Sequence, residues 1–281
     1  MVIGVIGQNP VLTNCITDFR LAENKRWLET HLWHAKRAKM VTRWSYRLAQ
    51  TPTAKCHRPS HRAARNGCII GDVSFYATIE LEGTIQDLRG ALKGVVGGSG
   101  WGGSRYESGS RMGKTMLHHH KQWPLGMIGP IDVLWQPTPI PTTTKKVWMR
   151  CHPSMFSEAW EAIQTSVSAW YDQGSSSGGA TGSSETKIIM KDLRDDICAF
   201  EMVGPRCANV LRGVLGIAKE RTTTALSTGS DGMHVEGQTV EGTRGASPKE
   251  RFWNGMRFIQ SSGQLSEGLV AGLTVHDPRL R

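Results

Sequence analysis

Alternation of apolar and polar residues is clearest in DVSFYATIELEG, residues 72–83, and predicts a half-buried β-strand. Thr84 and Asp87 follow as a candidate capping pair, so we expect a short helix to about Lys93. Other apolar runs predict strands at 131–135, 145–152, 187–190, 197–203 and 268–275, and helical spacing predicts helices at 154–171 and 206–215. This order of elements predicts an α+β fold with a mixed or antiparallel sheet and packed helices.

Residues 22–49 contain many good helix formers and neither Gly nor Pro, which predicts one long helix. On such a helix, one stripe spanning an arc of about 80° is basic: Lys36, Lys39, Arg43 and Arg47. The neighbouring stripe of Trp33, Met40 and Trp44 fits packing in a core better than contact with a ligand, although both interpretations remain open.

The charge pattern adds a function class to this picture. The chain has 281 residues and a formal net charge of +10. Residues 20–65 hold twelve Lys or Arg against Glu23 and Glu29 alone, so this short segment carries the whole excess. Histidines and aromatic residues are interleaved with these bases. Such a mixture favours a surface that neutralises phosphates and stacks on unpaired RNA bases.

The sequence after the predicted helix, TPTAKCHRPSHRAARNG at 51–67, is dense in Lys, Arg and His and lacks apolar periodicity. We expect an ordered loop or short helix that lies against RNA. The predicted organisation is a basic helical RNA-binding segment at 1–71, followed by an α+β domain at 72–281. Flexible insertions are expected near 94–113, 172–185 and 222–248, where Gly, Ser and polar residues predominate.

Catalytic and metal-binding patterns are weak. Cys56, His57, His61 and Cys68 are ligand types, but their spacing does not match a zinc finger. Gly113-Lys114-Thr115 lacks the rest of a phosphate-binding loop, and the acids at 192–196 read as a solvated turn. We therefore expect no catalytic residue, metal or cofactor. Six scattered cysteines favour an intracellular chain, and no apolar run is long enough to predict a membrane span.

One resemblance is specific. Four motifs, Trp27–His31, Trp33–Arg37, His57–Arg65 and Asp72–Glu82, resemble the signature region of the processing-of-precursors subunit one family. That family is the largest protein subunit of nuclear ribonuclease P and ribonuclease MRP. Weaker similarity follows in order at Gly129–Pro137, Val147–Phe156, Phe200–Pro205 and Gly272–Leu280. The resemblance implies the amino-terminal part of such a subunit, in the nucleus and nucleolus, with a fold similar to the glycine-cleavage T-protein.

The leading hypothesis is a non-catalytic RNA-binding scaffold of the ribonuclease P and MRP ribonucleoprotein. Its partners would be the catalytic RNA and the other protein subunits, and it would support removal of the tRNA 5′ leader and processing of rRNA precursors. The alternatives are a folate-dependent methyltransferase-like enzyme and a module that binds an acidic protein. The residues predicted to contact RNA are Trp33, Lys36, Arg37, Lys39, Arg43, Trp44, Arg47, Lys55, His57, Arg58, His61, Arg62 and Arg65.

Overall fold

A computed structural model describes residues 2–6, 26–28, 30–137, 144–176, 187–194, 196–218 and 247–276. The strands are β1 (Val2–Ile6), β2 (Arg26–Trp27), β3 (Ala38–Arg43), β4 (Tyr46–Pro52), β5 (Ile69–Asp72), β6 (Ala77–Thr84), β7 (Gly113–His118), β8 (Met127–Trp135), β9 (Thr144–Cys151), β10 (Ile189–Asp192) and β11 (Ile197–Val203). The helices are α1 (His31–Arg37), α2 (His57–Asn66), α3 (Ile85–Lys93), α4 (Ser104–Glu107), α5 (Phe156–Ser176), α6 (Cys207–Val214) and α7 (Pro248–Gly255).

The largest sheet has five strands in the order β10-β6-β9-β8-β7, and every neighbouring pair is antiparallel. Alternate residues of β6, β8 and β9 point to one face and pack against α3 and α5, as the period of two requires. Ile79, Val133 and Val147 are almost completely buried there. This sheet and its two helices form the main apolar core.

Two smaller sheets connect the basic amino-terminal segment to this core. In one, β11 lies between β1 and β5 and is antiparallel to both. In the other, β4 lies between β2, to which it is parallel, and β3, to which it is antiparallel. The second sheet has its own small core of Leu28, Tyr46 and Leu48.

The α+β class with antiparallel sheets is confirmed. Thr84 caps α3 as predicted, because its hydroxyl accepts a hydrogen bond from the Asp87 N–H at 3.2 Å. The strand predicted at 268–275 is wrong: two isolated bridges, Arg111 to Leu269 and Ile217 to Val275, occur instead of a ladder. Gly268 has a positive φ of 70°, which is incompatible with regular extended backbone.

The long helix predicted over 22–49 is also wrong. The helix α1 ends at Arg37, and the chain then forms the β3–β4 hairpin. Val41, Tyr46 and Leu48 lie on one face of this hairpin and close its small core, and β-branched or aromatic residues favour strands. The turn could not be predicted from the sequence because it is formed by Trp44 and Ser45, and not by the Asn-Gly pair that usually marks such turns.

The division of the chain at residue 71 stays a prediction, as does the flexibility of 94–113. That segment contains α4 and the buried Trp101, whose backbone carbonyl accepts a hydrogen bond from the Trp135 indole. Most of the other two expected insertions, at 177–185 and 222–246, lies outside the described residues. Within the described ranges, no helix is both long enough and apolar enough to span a bilayer.

Candidate nucleic-acid interface

The basic hairpin, which we define as residues 30–52, displays its cations on short elements instead of one helical stripe. Lys36 and Arg37 are exposed at the end of α1, and Lys39 and Arg43 are exposed on β3. Arg47 lies half-buried on β4, where its guanidinium donates to the Thr42 hydroxyl at 3.2 Å. The hairpin therefore spreads five cationic groups over two strands and the adjoining helix.

The basic helix, defined as residues 54–66, follows directly. Its inner side is made of small residues, Ser60, Ala63 and Ala64, which allow close approach to the rest of the protein. At about 100° per residue, Arg58, Arg62 and Arg65 fall on the opposite side. All three arginines are exposed, as are Lys55, His57 and His61. The helix thus has a basic face and a small-residue face, with no apolar stripe, which is why periodicity did not predict it.

The nine Lys and Arg residues predicted to contact RNA have no carboxylate partner among the described residues. Several bases elsewhere in the protein do pair with acids. Arg89 binds Glu107 through two nitrogen–oxygen contacts, Lys146 binds Glu80 at 3.0 Å, and Arg194 pairs with Asp192. The excess charge seen in the sequence is therefore also unpaired in three dimensions.

The two histidines of α1 lie in surroundings that disfavour their charged form. Burial, followed by the nearby Arg47, lowers the pKa of His31, and burial also lowers the pKa of His34. Both rings lie on the inner side of α1, and His31 stacks on Trp27 with ring centroids 4.1 Å apart. These two rings are consequently part of the packing that supports the hairpin, and the Lys and Arg side chains provide its positive charge.

A buried carboxylate attaches the basic hairpin to the rest of the fold. Asp72, at the end of β5, accepts hydrogen bonds from the Thr30 hydroxyl at 2.9 Å and from the Ser74 hydroxyl at 2.6 Å. The Ser74 hydroxyl in turn accepts the Ala199 N–H of β11 at 2.9 Å. Because a buried carboxylate requires such donors, this chain of contacts fixes the start of α1 relative to β5 and β11.

Trp44 occupies the tip of the hairpin, and its core-packing interpretation is wrong. Trp44 and Ser45 both have positive φ, 50° and 68°, in the pattern of a type I′ turn. The Trp44 ring remains 38% exposed while it contacts Phe75 and the edge of His152, with centroids 6.4 and 4.4 Å apart. These contacts compensate for a backbone conformation that a bulky residue rarely adopts.

Trp33 is not a core residue either, since 59% of its surface is exposed on α1. Lys36 Nζ and Arg37 Cζ lie 5.5 and 5.3 Å from its ring centroid. This arrangement places an exposed aromatic ring beside two cations. Proteins that bind single-stranded nucleic acid use this combination to stack on bases and to contact phosphates.

Sequence reasoning missed one residue of this surface. A groove of about 790 Å³ lies along the basic helix, and Arg206, immediately before α6, lines it together with Lys55, Arg58 and Arg62. The sequence carried no signal for this, because Arg206 lies far from the basic segment in the chain and has no other base within five residues.

Comparison with known proteins matches this region to a described family. Residues 10–84 match the family described as the amino-terminal part of the ribonucleases P/MRP protein subunit POP1. The resemblance inferred from the sequence motifs is confirmed: this part of the chain is similar to the amino-terminal part of POP1 subunits. Every residue predicted to contact RNA lies within the matched POP1 segment, whereas Arg206 lies beyond it.

Relatives of this POP1 segment come from distant organisms. The human ribonucleases P/MRP protein subunit POP1 is 37% identical over 144 residues, 49% of this chain and 14% of that protein. The Schizosaccharomyces pombe subunit pop1 is 31% identical over 199 residues, 64% of this chain and 25% of that protein. The chain therefore spans a quarter or less of these POP1 proteins.

Among solved structures, the glycine cleavage system aminomethyltransferase T from Bartonella henselae aligns with a TM-score of 0.45 and 13% sequence identity. The alignment covers 67% of this chain and 43% of that one. A likeness of this degree carries no argument about activity. Within the described residues of the POP1 segment and the domain that follows it, no three His, Cys, Asp or Glu side chains are grouped as metal ligands.

Proposed function

We propose that this chain is an RNA-binding scaffold region of a ribonuclease P/MRP protein subunit. In this function its residues hold RNA by its phosphates, and the RNA of the complex performs the cleavage. The observation that carries the proposal is the set of nine basic side chains without carboxylate partners, concentrated on the basic hairpin and basic helix. The names of the POP1 relatives support the assignment to this kind of complex.

The chemistry of the surface suits a ribose-phosphate chain. Arg and Lys on rigid elements can each neutralise a phosphate, and Arg can do so with two parallel hydrogen bonds. Exposed Trp33 and the partly exposed Trp44 offer faces for unpaired bases. Because the histidines of α1 are neutral and packed inside, this surface works by charge and stacking, and no step of bond cleavage is assigned to it.

Salt dependence tests the proposal directly. If six to nine phosphates are neutralised, log K for binding of the complex's RNA should fall against log salt with a slope of roughly −4 to −8, using about 0.7–0.9 per contact. The measurement is a titration of the purified full chain with labelled RNA at several KCl concentrations. A slope near −1 would contradict the proposal.

Charge reversal tests which residues form the surface. Arg43→Glu, on the hairpin, and Arg62→Glu, on the basic helix, should each weaken binding to many RNA sequences and reduce the steepness of the salt slope by about one. Arg105→Glu is a matched control, because Arg105 is an exposed arginine on α4, which contacts β8. Unchanged affinity in both test variants would reject this surface as the RNA site.

We further propose a nuclear and nucleolar location, with the catalytic RNA and neighbouring subunits as partners and with roles in tRNA 5′-leader removal and rRNA precursor processing. Crosslinking in cells followed by sequencing of the attached RNA tests these points together. An acidic protein partner is the competing interpretation of the same charges. In that case, partners captured from an extract should survive nuclease treatment, whereas the RNA proposal expects most of them to be lost.

A further inference from the structure

The groove along the basic helix brings together two parts of the chain that are far apart in sequence. The basic helix contributes Lys55, Arg58 and Arg62 to its lining, and the segment before α6 contributes Arg206. The remaining polar lining residue is Asn66, and no lining residue is acidic. With a volume of about 790 Å³, the groove is large enough for part of a nucleic-acid strand, and it is open to solvent.

The two parts of the lining are held in fixed positions by backbone contacts. The Arg206 N–H donates a hydrogen bond to the Gly67 carbonyl oxygen at 3.0 Å, immediately after the basic helix. Gly204 fits against the same carbonyl with a φ of +129°, and a Cβ there would lie 2.5 Å from that oxygen. Pairing of Val203 with Ile69 in the β11–β5 ladder brings the segments together. These backbone contacts fix the position of Arg206 relative to the basic helix.

Charge then decides what the groove can bind. Arg206 is exposed and, among the described residues, has no carboxylate partner, like the three bases that the basic helix contributes. Four cations around an open trough suit a ligand with regularly spaced negative charges that can continue past both ends. The groove also runs along the exposed face of the basic helix, which is the proposed RNA surface.

We propose that Arg206 completes a phosphate-binding groove with Lys55, Arg58 and Arg62, and that an RNA backbone lies in it. This inference rests on the proposed RNA-binding function and extends the RNA site to the domain that follows the matched POP1 segment. RNA held in this groove would contact the basic helix and Arg206 at once. Its binding would therefore depend on the packing of the amino-terminal segment against β11 and α6, as well as on the number of charges.

The test compares Arg206→Glu, Arg206→Ala and Arg206→Lys in the full chain, with Arg105→Glu as the charge-matched control. We expect Arg206→Glu to weaken RNA binding at least tenfold at 0.1 M KCl and to remove about one from the salt slope. Arg206→Lys should retain most of the affinity, because a phosphate contact accepts either base. Combining Arg206→Glu with Arg62→Glu should cost less than the sum of the two, since both side chains serve one groove.

Wild-type affinity in Arg206→Glu and Arg206→Ala, together with clear loss in Arg62→Glu, would overturn the groove while leaving the proposed function intact. Wild-type RNA affinity in all of these variants, and also in Arg43→Glu, would instead reject the proposed function. Circular dichroism and thermal unfolding identify any variant that fails to fold, and Arg206→Ala carries the test in that case. Poly-glutamate is the probe for an acidic protein; tighter, Arg206-dependent binding of poly-glutamate than of RNA would also overturn the inference.

Discussion

Removal of a negative charge from this basic protein should weaken the proposed binding to RNA if that charge is Asp72. Coulomb's law alone predicts the opposite, because the loss of a carboxylate makes the net charge more positive. The structure predicts weakening since Asp72 is only 7% exposed and connects the basic hairpin to the domain behind it. The sign of the effect therefore separates a structural role from a purely electrostatic one.

The size of the effect follows from the contacts. Asp72 accepts three hydrogen bonds, from the Thr30 hydroxyl at 2.9 Å, the Ser74 N–H at 3.0 Å and the Ser74 hydroxyl at 2.6 Å. Bonds to a charged acceptor contribute about 1.5–3 kcal/mol each and are not additive. Asp72→Ala should cost about 3–5 kcal/mol of unfolding free energy, and Asp72→Asn, which keeps one acceptor oxygen, about 1–2 kcal/mol.

Urea unfolding followed by tryptophan fluorescence measures the stability, and titration with RNA measures the affinity. Asp72→Asn should bind RNA several-fold more weakly, because only the docked hairpin presents its cations in the correct positions. Asp196→Asn is the matched control: it removes the same charge from an exposed carboxylate after β10 and should leave the affinity unchanged or slightly higher. Equal or tighter RNA binding by Asp72→Asn would refute the reasoning.

Two further predictions concern the junction below the groove. Gly204→Ala should lower the free energy of unfolding in urea by about 2 kcal/mol or more, because a Cβ there would lie 2.5 Å from the Gly67 oxygen and the φ of +129° disfavours alanine. Gly213→Ala is the control: its Cβ would meet open space in α6, so the change should be neutral or slightly stabilising. An unchanged midpoint for Gly204→Ala would argue against this packing. Burial and the neighbouring Cys207 thiol, 3.4 Å away, raise the pKa of Cys68 to about 11. At pH 8, iodoacetamide should therefore label Cys68 roughly 100-fold more slowly in the folded chain than in the urea-unfolded chain. Equal labelling rates of the folded and unfolded chains, measured by mass spectrometry, would contradict the raised pKa. Because the unfolded thiol ionises near pH 9 and the folded thiol only near 11, the stability contributed by Cys68 is present below pH 9 and lost as pH rises toward 11.

The elements of the main core could be predicted from the sequence because local signals and packing agree there. Ile79 and Leu81 alternate with polar residues on β6, and Ala159 and Ile163 repeat at helical spacing on α5, so both periods report the buried face. The basic segment was identified as a candidate site from composition alone. The excess of basic residues is evident in the sequence, whereas the strands and helices that carry them could not be predicted from it.

The parts that failed depend on contacts between distant residues. Trp44 turns the hairpin in a conformation that local propensity disfavours, and it does so against Phe75 and His152. Arg206 joins the basic surface only because β5 and β11 pair across about 130 residues of sequence. A single sequence contains no periodic or compositional signal for either arrangement.

The absence of counter-charges on the basic hairpin and basic helix has a consequence for the free protein. Like charges held close together repel one another and oppose the compact state, most strongly when salt is dilute. Any polyanion that binds only the folded form offsets this repulsion and, at 100 times its dissociation constant, adds about 2.7 kcal/mol to the apparent stability. The isolated chain should thus be least stable at low ionic strength, and added salt or a bound polyanion should stabilise the basic hairpin and the basic helix.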